Sequence, residues 1–155
     1  MKGNEEVLAI LNQLLADELT AINQYMVHAE MCDDWGYGGL DEVIEARAIG
    51  EMKHAEKLIG RILFLEGRPI VSNLNPIHIG AEVAAQLKND WQAERGAITA
   101  YNEGIRLAVE VGDNGTRELL ESILADEEEH IDWIEAQQDQ IAQVGIENYL
   151  AQQIE

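Results

Sequence analysis

The sequence predicts an all-α protein: four long helices in a bundle, with one long crossover loop and a short C-terminal fifth helix. Helix-favouring residues are abundant, and only two of the 155 residues are proline. Apolar residues recur at helical spacing in four long blocks. Both prolines lie in one irregular segment between the second and third blocks. A chain of this length suits a single domain, which we expect to span residues 1–155.

The first two predicted helices are joined by a short turn, which favours an antiparallel pair. The first helix is expected from about residue 5 to residue 35, and the second from about residue 40 to residue 66. Gly67 is expected to stop the second helix at its C′ position, because glycine adopts the left-handed conformation there without strain. The turn between the two helices is rich in glycine, with Gly36, Gly38 and Gly39.

The segment GRPIVSNLNPIHIG at residues 67–80 is predicted to be an extended crossover. Fully extended, it can span roughly 45 Å at about 3.3 Å per residue, whereas a 25-residue helix is only about 38 Å long. The crossover can therefore start the third helix beside the end where the second began. The third helix is expected at about 81–111 and the fourth at about 116–144, and residues 146–155 could form the fifth.

Charge and hydropathy exclude several classes of partner. Thirty acidic and ten basic residues give a formal net charge of −20. This charge disfavours binding to nucleic acid or to anionic membrane surfaces, and it favours the attraction of cations. The sequence has no apolar run long enough to span a membrane and begins without a signal-peptide pattern. With Cys32 as the single cysteine, we expect a cytoplasmic protein without disulfides or a cysteine-based metal cluster.

Each long helix carries one glutamate in the phase of its apolar stripe. Residues seven apart lie within about 20° of the same helix face, and Glu18 is seven residues from both Leu11 and Tyr25. A carboxylate in a dry core costs several kcal/mol unless a cation neutralises it. Two divalent ions would balance four such carboxylates. The four glutamates in core phase are Glu18, Glu51, Glu94 and Glu127.

Two E-x-x-H motifs on alternate helices sharpen this prediction. His54 follows Glu51 by three residues, and His130 follows Glu127 by three. This spacing places a carboxylate and an imidazole on one helix face, where both can bind one metal ion. We therefore predict a site for two metal ions. Oxygen and imidazole ligands without thiolate suit iron or manganese, and zinc could also bind.

The chain resembles the bacterioferritins, members of the ferritin family. The likeness covers essentially the whole chain and is carried by these motifs and by the segments LADELTAINQY (15–25), EMKHAE (51–56), RILFLEG (61–67), DEEEHIDW (126–133) and ENYLAQQI (147–154). It implies a ferritin-like bundle that oxidises Fe(II) with dioxygen or hydrogen peroxide and stores the mineral in a hollow shell of 24 identical subunits. It also implies a di-iron centre with Glu51 and Glu127 as bridging ligands. The six implied ligands are Glu18, Glu51, His54, Glu94, Glu127 and His130.

The resemblance further implies a b-type haem on a two-fold axis between subunits. Met52 follows Glu51 directly and is therefore turned about 100° away from the metal face, toward the outside of the bundle. Methionines paired across the axis hold the haem in this family, and Met52 matches that position. The haem is expected to carry electrons inward to reduce stored Fe(III), with a ferredoxin as the electron donor. Ordinary packing in a dimer interface is the alternative role of Met52.

The sequence departs from the family pattern at the inner surface. Many members have a histidine and an acidic residue where this chain has Ala46 and Gly50, so no iron site of that kind is expected there. Rival functions are disfavoured. A rubrerythrin-like peroxidase usually adds a four-cysteine iron site, which the single cysteine of this chain cannot make, and a mini-ferritin places its metals between subunits. The complete six-ligand set argues against a purely structural or haem-binding shell protein. His28 is ten residues from Glu18, and we expect it at the surface or in a subunit contact.

Overall fold

A computed structural model describes all 155 residues and confirms the predicted fold class. The helices are α1 (Glu5–Asp34), α2 (Gly38–Phe64), α3 (Val83–Glu110), α4 (Asn114–Val144) and α5 (Ile146–Ala151). Helices α1 and α2 pack as one helical hairpin and α3 and α4 as another, and α1 also packs on α3. The crossover of residues 65–82 joins the hairpins. None of the helices combines the length and apolar character that a membrane span requires.

The turn between α1 and α2 corrects one expectation. Gly36 does end α1, at a positive φ of 82°, but Gly38 and Gly39 belong to the first turn of α2. They are small because the C-terminal residues pack against them: the Gly39 amide donates to the Gln153 carbonyl at 3.0 Å. A Cβ at Gly38 would lie 3.0 Å from the Cβ of Glu155. These glycines therefore make room for the chain end.

The end of α2 corrects a second expectation. Glu66, not Gly67, takes the left-handed conformation after the helix, with φ 60°. The amide of Gly67 then donates to the Ile62 carbonyl at 2.9 Å, which is the hydrogen bond of a Schellman motif. A side chain at Gly67 would collide with Leu8, since a Cβ there would lie 2.4 Å from Leu8 Cδ2. Close approach, rather than backbone conformation, explains this glycine.

The apolar core is divided into two parts along the bundle. One part is centred on Leu11, Leu58 and Leu120, all fully buried, and it includes Tyr101. The other contains Leu40, Tyr25 and the α5 residue Tyr149. Between them lies a layer in which the four core-phase glutamates are buried, each with at most 2% of its surface exposed. The fold therefore places four carboxylates in the middle of its core.

Candidate metal centre

The structure brings together all six side chains that the sequence singled out. We call this group the carboxylate centre: Glu18 from α1, Glu51 and His54 from α2, Glu94 from α3, and Glu127 and His130 from α4. Their ligand atoms form two overlapping groups of four, each within 4.8 Å. The first group is Glu18, Glu51, His54 and Glu127, and the second is Glu51, Glu94, Glu127 and His130.

Glu51 and Glu127 belong to both groups. In each of them, one carboxylate oxygen faces His54 and the other faces His130. Glu51 Oε2 lies 3.4 Å from His54 Nδ1, while its Oε1 lies 3.0 Å from His130 Nδ1. Glu127 likewise faces both imidazoles: its Oε1 lies 3.2 Å from His54 Nδ1, and its Oε2 lies 3.4 Å from His130 Nδ1. A carboxylate that faces two positions with its two oxygens has the geometry of a bridging ligand.

Glu18 and Glu94 each keep one oxygen free. Tyr101 donates its hydroxyl hydrogen to Glu18 Oε1 at 2.5 Å, and Tyr25 donates to Glu94 Oε1. The Oε2 atoms of both glutamates are buried and make no hydrogen bond. A phenol on one oxygen thus leaves the other oxygen of each carboxylate to act as a terminal ligand. Tyr25 and Tyr101 are buried core residues, and they also orient the carboxylates of the centre.

Six buried polar atoms of the centre have no hydrogen-bond partner of acceptable geometry. Such atoms are rare in folded proteins, because each one costs about 1–3 kcal/mol of desolvation. Here they include one atom from every member of the centre. They are Glu18 Oε2, Glu51 Oε1, His54 Nδ1, Glu94 Oε2, Glu127 Oε1 and His130 Nδ1. Their convergence fits a divalent cation, which accepts lone pairs from oxygen and imidazole nitrogen.

Burial and mutual repulsion shift the acid–base behaviour of the centre. Burial raises the pKa of Glu18 and of Glu94 well above the usual value, and nearby carboxylates raise it further. Burial alone would lower the pKa of His130, but the carboxylates of Glu127, Glu51 and Glu94 outweigh it and raise the pKa to about 10. Protons therefore compensate the charge of the centre when no cation does.

A second buried polar cluster, the crossover clamp, fastens the crossover to the bundle. It consists of Gln24, His28, Gln86 and Asp90. Asp90 Oδ1 accepts from Gln24 Nε2 at 2.8 Å and pairs with His28 Nδ1 at 2.9 Å. His28 Nε2 accepts from the Gly80 amide at 3.0 Å, so the ring proton must lie on Nδ1. His28 is fully buried within the subunit, so the expectation that it lies at the surface or in a subunit contact was wrong.

The other residues of interest lie outside the carboxylate centre. Met52 is 46% exposed on the outside of α2, and Ile49 is 44% exposed one turn before it. His78 is an exposed residue of the crossover, and the thiol of Cys32 is buried. Sequence reasoning missed Asp126, whose Oδ2 pairs with His54 Nε2 at 2.8 Å. Spacing along α4 does not indicate this contact, because it depends on how α4 packs against α2.

Comparison with known proteins agrees with the geometry. The family model of the ferritin-like domain matches residues 8–144. Bacterioferritin from Brucella melitensis is 41% identical over 149 residues, which cover 96% of this chain and 92% of the relative. Bacterioferritin from Mycolicibacterium paratuberculosis is 41% identical over 152 residues, covering 98% and 96%. That from Rhodobacter capsulatus is 42% identical over 137 residues, covering 88% and 85%.

Sequence identity across nearly the full length, a matching domain model and a helix bundle built around buried carboxylates and imidazoles all agree. This chain therefore belongs to the bacterioferritin family of ferritin-like iron-storage proteins.

Proposed function

We propose that this chain oxidises Fe(II) to Fe(III) at the carboxylate centre and stores the product in a hollow shell made of many copies. The observation that carries the proposal is the set of six converging, buried ligand atoms without hydrogen-bond partners. An acidic cluster built only for solubility would lie at the surface. The oxygen and nitrogen donor set, without thiolate, suits iron.

Each member of the centre has a role in this proposal. Glu18 and His54 would hold one iron ion, Glu94 and His130 would hold the other, and Glu51 and Glu127 would be shared by both. Both imidazoles bind through Nδ1, since the Nδ1 atoms face the carboxylates. With His54 Nδ1 as a metal ligand, the ring proton lies on Nε2 and is donated to Asp126.

Two bound Fe(II) ions would supply one-electron chemistry: one electron from each ion, together with two protons, would reduce dioxygen to hydrogen peroxide, or hydrogen peroxide to two waters. The protein contributes position and charge. Four carboxylates offset the four positive charges of two Fe(II) ions and favour the extra charge of Fe(III). The hydroxyl groups of Tyr25 and Tyr101 keep Glu94 and Glu18 turned toward the ions.

A cavity of ≈ 370 Å³ supplies the route inward. It lies between α1 and α3 beneath the crossover, and its lining includes Asp17, Asn75 and His78 as well as the buried Glu18 and Glu94. Asp17 lies beside the ligand Glu18 and accepts from Asn75 Nδ2 at 2.5 Å. The net charge of −20 would raise the local concentration of Fe(II) near this opening.

Assembly is proposed from apolar side chains that the single subunit leaves in contact with water. Exposed apolar residues occur along the crossover, on the outer face of α1 and on α2, where a neighbouring subunit would cover them. We propose that residues 1–155 form one ferritin-like domain and that two-fold dimers of it build a 24-subunit shell in the cytoplasm. The exposed residues include Met26, Ile49, Ile70, Val71, Leu74, Ile77 and Ile79.

A b-type haem between the subunits of each dimer is the second cofactor in this proposal. The exposed thioether of Met52, beside the exposed Ile49, would offer the haem iron a soft sulfur ligand in an apolar setting. Met52 of each subunit would hold the haem. The role of the haem would be to pass electrons inward for the reduction of stored Fe(III), with a ferredoxin as the electron donor.

Removal of ligands tests the ferroxidase proposal. Glu127→Ala and Glu18→Ala should slow Fe(II) oxidation by about 100-fold or more, because each removes a metal ligand in a dry site. Stopped-flow absorbance of ferric species after addition of Fe(II) measures the rate. Glu118→Ala, at an exposed residue of the same helix as Glu127, is the control for loss of one negative charge. Wild-type rates in either ligand variant would refute the assignment.

Replacement of the thioether tests the haem proposal. Protein expressed with adequate iron and haem should show a Soret band corresponding to about half a haem per subunit, since two Met52 residues share one haem. Met52→Leu keeps the volume and removes the sulfur, so it should abolish the band while particle size and Fe(II) oxidation persist. Full haem content in Met52→Leu would exclude this ligand.

A further inference from the structure

The carboxylate centre has an approximate two-fold symmetry that exchanges α1 with α3 and α2 with α4. Tyr25 follows Glu18 by seven residues on α1 and donates to Glu94 on α3. Tyr101 follows Glu94 by seven residues on α3 and donates to Glu18 on α1. The E-x-x-H motifs of α2 and α4 correspond in the same way. Each terminal carboxylate therefore has an equivalent phenol partner.

The symmetry fails at the residue before each E-x-x-H motif. On α4 this residue is Asp126, which accepts a hydrogen bond from His54 Nε2 on α2 at 2.8 Å. On α2 the equivalent residue is Gly50, which has no side chain to offer His130. No protein group pairs with His130 Nε2. The side chain of His130 is 15% exposed, compared with 4% for His54.

This difference affects how well each imidazole binds a metal ion. A carboxylate on the far nitrogen fixes the orientation and tautomer of the ring and raises its basicity as a ligand. Loss of such a partner typically costs about 10–100-fold in metal affinity. His54 has this support and His130 does not, whereas both metal positions share Glu51 and Glu127. The other ligands, Glu18 and Glu94, are equally supported by tyrosine.

We propose that the two metal positions are unequal: the position at His54 binds the first ion tightly, and the position at His130 binds the second ion more weakly and exchanges it. Asp126 is the positioning residue that raises the metal affinity of the first position. The second position has no such residue, because the equivalent residue on α2 is Gly50. This inference rests on the proposed function, because it assigns an order of binding within the same centre.

The structure also indicates how the missing partner could be added. A Cβ at Gly50 would meet no atom within 4 Å, so a side chain has space there. By the symmetry of the centre, an aspartate at position 50 would approach His130 as Asp126 approaches His54. Gly50→Asp should therefore strengthen the second position, and Asp126→Ala should weaken the first.

Zn(II) is a suitable probe, because it accepts these ligands and does not oxidise. Purified wild-type particles, freed of metal, would be crystallised with one Zn(II) per subunit, and anomalous diffraction at the zinc edge would give the occupancy of each position. Calorimetric titration with Zn(II) would give the two dissociation constants. The diffraction is essential because repulsion between two ions separates the binding steps even at equal positions.

In the wild type we expect the position at His54 to be filled first, with an affinity about 10–100-fold higher than that of the second. Asp126→Ala should lower the first affinity by a similar factor and remove the preference. Gly50→Asp should raise the second affinity and narrow the ratio. Three controls should keep the wild-type ratio: Gly50→Ala adds no carboxylate, Ala46→Asp adds the same charge one helical turn away, and Asp132→Ala removes an exposed acid from α4.

Equal occupancies in the wild type, or a first ion at His130, would overturn the inference. It would also be overturned if Gly50→Asp behaved like Gly50→Ala, and this variant decides the question even if Asp126→Ala fails to assemble. Any of these three results, with two ions still bound at the centre, would leave the proposed function intact. Absence of Zn(II) from the centre in the wild type would instead refute the proposed function and this inference together.

Discussion

The carboxylate centre and the crossover clamp are neighbouring buried clusters of the same kinds of residue. Glu94 of the centre lies one helical turn after Asp90 of the clamp, and both are at least 96% buried. The clamp pairs its groups internally, so that Asp90, His28 and Gln24 have their hydrogen-bond partners. The centre leaves one atom of each member unpaired. Both clusters are buried, so burial does not distinguish them. What distinguishes the structural network from the binding site is whether the buried polar atoms have hydrogen-bond partners.

The largest expected effect of this difference is stabilisation by metal. Zn(II) at 100 times its dissociation constant should stabilise the wild type by about 2.7 kcal/mol, or roughly 5–10 °C in melting temperature for a chain of this size. Asp90→Asn, in the clamp, should keep this increase. Glu127→Gln, in the centre, should lose most of it. Calorimetric melting in a Zn(II) titration measures the increase, and an equal shift in Glu127→Gln would contradict the comparison.

A matched pair of substitutions should change the stability of the metal-free protein in opposite directions. Asp90→Asn weakens two hydrogen bonds and should cost about 1–2 kcal/mol. Glu94→Gln retains an acceptor for Tyr25 and replaces a carboxyl that takes up a proton on folding, because burial and nearby carboxylates raise its pKa well above the usual value. At neutral pH this proton uptake costs free energy, so the neutral amide should stabilise the metal-free protein, by roughly 1 kcal/mol. Denaturant unfolding in the presence of a chelator measures both changes. If the two changes have the same sign, the two clusters do not differ as described.

The smallest expected effect lies at the edge of the clamp, where the Cys32 thiol donates to Gln86 Oε1 at 3.5 Å. The thiol is a weak donor, and Cys32→Ala should cost less than about 1 kcal/mol. Burial, with Asp41 and Asp90, raises the pKa of this thiol to about 11. At neutral pH it is therefore protonated, and alkylation of the folded protein should be slow and should accelerate only as the pH approaches 11. Rapid alkylation at pH 7 would show that the clamp opens.

Helical periodicity predicted most of the fold, because core-facing stripes leave a strong local pattern. The predicted ends of the four long helices agree with the structure within about two residues. The errors came from contacts between distant parts of the chain. Gly38 and Gly39 look like helix breakers in the sequence, but the C-terminal residues require their small size. No local pattern contains that information.

The four glutamates of the centre were predictable because each lies in phase with an apolar stripe, and the two histidines because each follows a glutamate by three residues. His28 was judged only by its distance from Glu18, although it also lies two heptads after the buried Leu14. That second relation would have placed it in the interior. The contact between Asp126 and His54 depends on the packing of α2 against α4. Spacing within one helix could not reveal it.

The division of the core by the carboxylate layer has a consequence for cooperativity. The two apolar clusters meet across a layer of buried carboxyl and imidazole groups, and six atoms of this layer have no hydrogen-bond partner. In the metal-free protein, the end of the bundle with Leu11 and Leu58 and the end with Leu40 and Tyr149 would therefore open as separate units. A pair of bound ions joins all four helices at the middle. Amide hydrogen exchange should then show two protection levels without metal and one common level with it.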